Sequence, residues 1–157
     1  MLSLMAFSRS ARAVFSATAF LGAQTVFAQV PQMPVVTLSA GMHLVRAEVA
    51  FNTESRMQGL MFRKSLGPNQ GMLFMFTEDE RHCMWMKNTF VPLSVAFINA
   101  KGRIVSIHDM EPQAEASHCA KGPTRYALEM SRGWFKDKGI AAGAEIRGIE
   151  KAPPAQP

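Results

Sequence analysis

The chain has 157 residues, of which 48% are apolar and 18% charged, with a formal net charge of +5. Those proportions exclude an intrinsically disordered polypeptide, and the length suits one hydrophobic core. The basic residues are scattered instead of gathered in a stripe, which argues against a nucleic-acid partner, since net charge alone brings only non-specific attraction.

Arg9 and Arg12 precede an uncharged, apolar-rich run from Ala13 to Ala28. This order predicts a signal peptide over residues 1–28, cleaved after the small residue Ala28. Retention as an anchor is the alternative, but Ser16, Thr18, Gln24 and Thr25 dilute the run below the roughly 20 predominantly apolar residues a span needs. Beyond position 28 no comparable run occurs. No stable membrane span is therefore expected after cleavage, and the mature protein is expected to be periplasmic or otherwise exported.

Residues 29–42 contain Pro31 and Pro34 without sustained periodicity and read as a linker. From Leu44 to Phe51 apolar residues alternate with Arg46 and Glu48, the two-residue period of a half-buried strand. Asn52 and Thr53 can cap a short helix running to about Gln58, with Gly59 ending it. The turn residues Gly67 to Gly71 lead into Met72–Phe76, a short run apolar on both faces that predicts a buried strand. In the next strand, alternation puts Cys83, Trp85 and Lys87 on one face and His82, Met84 and Met86 on the other. Asn88, Thr89 and Pro92 end it.

Leu93–Asn99 and Arg103–His108 flank Ala100-Lys101-Gly102 and predict a hairpin. Asp109–Pro123 reads as a long polar loop holding His118 and Cys119, and a loop of that length is expected to be functional or tied down. Tyr126, Leu128 and Met130 alternate with Arg125, Ala127 and Glu129 in a further strand. Ser131 suits the cap of a second short helix that stops at Gly139. Glu145–Ile149 completes the strands, and Pro153, Pro154 and Pro157 predict a disordered tail over 151–157. The expected fold is α+β, a mainly antiparallel, small barrel-like sheet with two short helices, over residues 43–150.

Gly59-Leu60-Met61-Phe62-Arg63, Gly71-Met72-Leu73-Phe74, Trp85-Met86-Lys87-Asn88-Thr89, Pro92-Leu93, Phe97-Ile98 and Arg125-Tyr126-Ala127-Leu128-Glu129 occur in that order. In order and spacing they resemble the family known as domain of unknown function 192, over about Val45 to Arg147. The resemblance implies a small α/β domain rich in antiparallel strands and often exported; it implies no activity, substrate, cofactor or catalytic residue. Ser94 departs from the family's pattern, which commonly has Asp after Pro-Leu.

Each cysteine directly follows a histidine, in His82-Cys83 and His118-Cys119. In an exported chain two cysteines most often pair, and a Cys83–Cys119 disulfide closing about 37 residues would stabilise by roughly 4 kcal/mol. The alternative is a redox-sensitive soft-metal site for copper or zinc, using Cys83 and Cys119 with His82, His118 or Met86. Strand geometry opposes it, because His82 and Cys83 point to opposite faces.

The remaining candidate surface is cationic. Arg56, Arg63 and Lys87 lie in otherwise apolar motifs with Trp85 and Asn88 close by, and such groups can hold a carboxylate, a phosphate or a sugar face. The structural alternative is that each Arg covers a strand edge or pairs with Glu54, Glu129 or Asp109. A hydrolase built from Ser94, His108 and Asp109 lacks any nucleophile elbow, and Glu111 and Glu115 sit on a loop that fixes no separation for a glycosidase pair. The expectation is thus a non-catalytic binding or accessory domain that recognises an anionic small molecule, glycan or envelope protein through Arg56, Arg63, Trp85, Lys87 and Asn88, without a cofactor.

Overall fold

The computed structural model describes residues 32–157. The expected signal segment lies outside them. Among the described residues no helix is long and apolar enough to cross a membrane.

Nine strands and two short helices follow in the order β1 (Val35–Ala40), β2 (His43–Ala50), α1 (Thr53–Gln58), β3 (Gln70–Glu80), β4 (Cys83–Met84), β5 (Leu93–Ile98), β6 (Ile104–Met110), β7 (His118–Cys119), β8 (Thr124–Ser131), α2 (Trp134–Asp137) and β9 (Ile146–Arg147). Seven strands form one sheet in the order β6-β5-β8-β3-β2-β1-β9, and β4 pairs with β7 separately. Every pairing is antiparallel except β2 with β3, which the crossover through α1 makes parallel. The sheet curls into a half-barrel: its two edges meet where the Ile146 amide donates to the Gly102 carbonyl (2.8 Å) and the Ile104 amide to that of Ala144 (2.9 Å). The mainly antiparallel α+β expectation holds.

Both faces of the sheet are buried. One packs Leu38, Val45, Leu73, Leu128 and Met130 against Trp134, Phe135, Ile146 and Ile149. The other packs Met72, Phe74, Val95, Phe97 and Ala127 beneath Leu60, Met86 and Ala120. This second layer is irregular chain, and the Cys83–Cys119 disulfide fastens it, with the two Cα atoms 3.9 Å apart on directly opposed residues of β4 and β7. Alternation into this layer leaves Met86 fully buried while Trp85 and Lys87 face outward.

The expected helix over Thr53–Gln58 is present, and Asn52 caps it: its side-chain oxygen accepts the Ser55 amide (2.9 Å) while the Ser55 hydroxyl accepts the Asn52 amide (3.1 Å). Asn99 organises the hairpin of β5 and β6, accepting the amides of Lys101 and Arg103 at 3.0 Å each.

Four expectations need correction. The proposed linker 29–42 contains β1, whose Val36, Leu38 and Ala40 are buried, so the prolines precede the strand without preventing it. Ser131 ends β8 and caps nothing; Gly133, at φ +81°, is the N-cap of α2 because the reversal needs the left-handed conformation. The last strand shortens to Ile146–Arg147 and a 3₁₀ turn takes over at Ile149–Lys151. The tail 151–157 is tied to the domain: the Gln156 amide donates to the Phe51 carbonyl (2.7 Å), and Arg56 donates to the Gln156 carbonyl (2.8 Å).

Candidate functional site

The capping of α1 fixes the place of Arg56, one turn in. Its Nη1 donates to the carbonyls of Phe51 (3.0 Å), Met75 (3.1 Å) and Gln156 (2.8 Å), and its Nη2 to the Thr53 hydroxyl (3.1 Å). Three carbonyls on one nitrogen leave it no spare hydrogen, so Arg56 joins β2, β3 and the tail. Burial lowers its pKa from the usual arginine value.

Arg63 follows the left-handed residue Phe62 (φ +63°) and pairs with Glu48 of β2 at 2.5 Å. Its expected partners were Glu54, Glu129 or Asp109. Lys87, by contrast, makes no ion pair among the described residues and lays its ammonium 5.2 Å from the centroid of the Trp85 ring. Asn88 is itself left-handed (φ +54°), and its carbonyl accepts the Phe62 amide at 2.8 Å, which ties the Trp85–Thr89 segment to the end of the α1 region. Its side-chain amide lies 4.0 Å from the Met61 sulfur.

Between these segments lies a narrow cleft of about 30 Å³, lined by Arg56, Trp85, Lys87 and Thr89 with Met57, Met61, Met84 and Glu129. Arg56, Trp85 and Lys87 therefore share one concavity; Arg63 and Asn88 do not line it. Trp85 is 48% exposed, and Met57, Phe62 and Phe90 stand exposed as well. Phe62 and Phe90 pack edge to face, with ring centroids 6.3 Å apart.

Glu129 is the residue that sequence reasoning missed. It lies in β8 between Met72 of β3 and Val95 of β5, and is only 3% exposed. Among the described residues its carboxyl group takes part in no ion pair or side-chain hydrogen bond, it lines the cleft, and burial pushes its pKa up to about 8. A buried, unpaired carboxylate is far costlier than the neutral acid, so the group holds its proton at neutral pH. It then presents one O–H donor and one acceptor oxygen to the cleft.

The other constellations come apart. Ser94 donates to Asp109, its register partner across β5 and β6, and accepts the Gly133 amide (2.9 Å). His108 neighbours Asp109 in β6, so its side chain projects from the opposite sheet face, beside Ser106 (3.3 Å) and 6.2 Å from the His118 ring. Burial, with His118 and Lys121 nearby, lowers its pKa. Ser94 and His108 cannot form a nucleophile–base pair across the sheet. Both sulfurs are in the disulfide, which removes the thiolates a soft-metal site would need, and no cluster of three or more His, Cys, Asp or Glu with metal-holding geometry occurs among the described residues.

Comparison with known proteins adds the family and the fold. The family model described as DUF192, uncharacterized ACR, matches residues 35–148. A solved structure from Sinorhizobium meliloti, described as a candidate transcription regulator, is 37% identical with a TM-score of 0.68, over 73% of this chain and 92% of that one. A protein of unknown function from Novosphingobium aromaticivorans is 32% identical with a TM-score of 0.67, over 72% and 83% respectively. No curated protein matches the sequence.

Proposed function

The chain belongs to the DUF192 family, and from that premise we propose that it is a non-catalytic binding domain that recognises a small anionic molecule at the Trp85–Lys87 cleft. The observation that carries this is Lys87: it is the cation of the cleft whose ammonium makes neither hydrogen bond nor ion pair among the described residues, held over a half-exposed indole at the mouth. Arg56 adds positive charge without offering its Nη1 hydrogens, and neutral Glu129 adds no repulsion. Trp85 and Met57 offer apolar surface to the rest of a ligand whose charged end enters the cleft.

Export belongs to the same proposal. Arg9 and Arg12 ahead of Ala13–Ala28 suit a signal peptide, and a disulfide suits an oxidising compartment. Mass spectrometry of the mature N-terminus tests it.

Recognition is tested by thermal-shift screening of small organic anions and neutral sugars against the wild-type protein, Trp85→Ala and Lys87→Ala. Anions are expected to raise the wild-type Tm, and both variants to lose the effect. An inert wild type, or variants that respond like it, would refute the proposal.

A further inference from the structure

Resting on that reading, we infer that the group admitted to the cleft is a carboxylate, which accepts a hydrogen bond from Glu129 and takes the Lys87 ammonium as its countercharge. The floor is specific in a way the rim is not. Glu129 is 3% exposed, lacks any partner among the described residues and lines a cleft, so its hydrogen-bonding capacity is satisfied by whatever enters. Buried polar groups are almost always paired, and one facing a cleft takes its partner from the water or ligand atom that enters it.

Size and charge select the ligand class. The cleft has about 30 Å³ of room, so one small charged group enters it and the rest of a ligand stays at the mouth. The charged groups facing it are Arg56 from α1 and Lys87 from the Trp85–Thr89 segment; the strand neighbours of Glu129, Met72 and Val95, carry no charge. Two cations around a neutral acid repel an ammonium group. An alcohol would satisfy Glu129 but make no use of Lys87. A carboxylate uses both: a carboxylic acid donating to a carboxylate forms a short, charge-assisted hydrogen bond.

Proton linkage follows. Only the protonated acid can donate, and burial holds Glu129 protonated up to about pH 8. Carboxylate affinity is therefore constant in mildly acidic solution and about tenfold weaker at pH 9 than at pH 7.

The test is NMR titration of the full chain with acetate, inorganic phosphate and methylamine as separate probes, repeated across this pH range. Acetate is expected to perturb the Trp85–Thr89 amides and to weaken about tenfold from pH 7 to pH 9. Glu129→Gln keeps a neutral donor and acceptor in place, so it should bind acetate with no pH dependence over the range. Lys87→Ala, a surface change that leaves the core intact, should weaken acetate at every pH. Acetate binding that ignores pH in the wild type, phosphate binding as tightly as acetate, or methylamine binding that strengthens with pH would each overturn the inference. Larger anions that still require Trp85 and Lys87 while acetate fails would leave the proposed function standing and remove the carboxylate.

Discussion

Lys87 lies over Trp85, its ammonium 5.2 Å from the ring centroid, and this pair forms the mouth of a cleft whose floor is the buried acid Glu129. A cation–π contact at an exposed site contributes about 0.5–1 kcal/mol. Lys87→Ala is therefore expected to lower stability by no more than about 1 kcal/mol while abolishing anion-induced stabilisation. Denaturant unfolding in parallel with the thermal-shift screen checks both halves.

Glu129 makes stability depend on pH in the direction opposite to most carboxylates. Its folded pKa of about 8 lies above the ordinary 4.5, so the native state binds more protons than the unfolded chain between those values. Stability from this group is fully present below about pH 4.5 and is lost as pH rises towards 8. The loss is on the order of a few kcal/mol. Glu129→Gln removes the dependence and should be the more stable protein at pH 8, as urea unfolding at several pH values will show.

Arg56 is expected to behave as a structural residue first. Arg56→Ala leaves the carbonyls of Phe51, Met75 and Gln156 without their shared donor and should cost about 2 kcal/mol. It should also release the tail, seen as faster hydrogen exchange at Gln156. Arg56→Lys cannot serve the same fork and is expected to recover only part of the loss.

Ser94 and Asp109 divide a task at one register position. Ser94→Ala strands the Gly133 amide and should cost about 1–2 kcal/mol. Ser94→Asp sets two carboxylates side by side and should destabilise at neutral pH. Adding Asp109→Ser to it restores one acid and one hydroxyl to the pair, so the double variant should regain most of the wild-type Tm. A double variant no more stable than Ser94→Asp alone would show that the two positions are not exchangeable.

The Cys83–Cys119 bond holds the second layer over the sheet. Replacing both residues with Ser is expected to cost up to about 4 kcal/mol and to loosen the Trp85 segment, weakening anion binding even where the protein still folds. Thermal denaturation and the anion screen on that variant measure the two effects.

Local chemistry made part of this legible in the sequence. Asn52 announces its helix, Lys101 and Gly102 their hairpin, and the alternation from Cys83 to Lys87 separates Met86 from Trp85, of which the structure buries the first and exposes the second. What stayed hidden depends on partners far along the chain. In β8 the alternation of Tyr126, Leu128 and Met130 with Arg125, Ala127 and Glu129 suggests one wet face, because periodicity cannot see that a disulfide-bound layer covers it. For that reason Glu129 reads in the sequence only as an ion-pair partner for an arginine when it is the floor of the cleft. Strand β1 was obscured by the prolines before it, although Val36, Leu38 and Ala40 carry the period of a strand. The free cation among three candidates could not be chosen either, since the bonds of Arg56 reach Met75 and Gln156 and the partner of Arg63 is Glu48.

The most direct measurement is a ¹³C NMR titration of the Glu129 side-chain carboxyl in the ligand-free protein. A midpoint near 8 is what a buried, unpartnered acid at the cleft floor requires. A midpoint near 4.5 would mean a hydrated or paired carboxylate in its place, and at neutral pH the cleft floor would then offer an entering carboxylate a like charge and no hydrogen-bond donor.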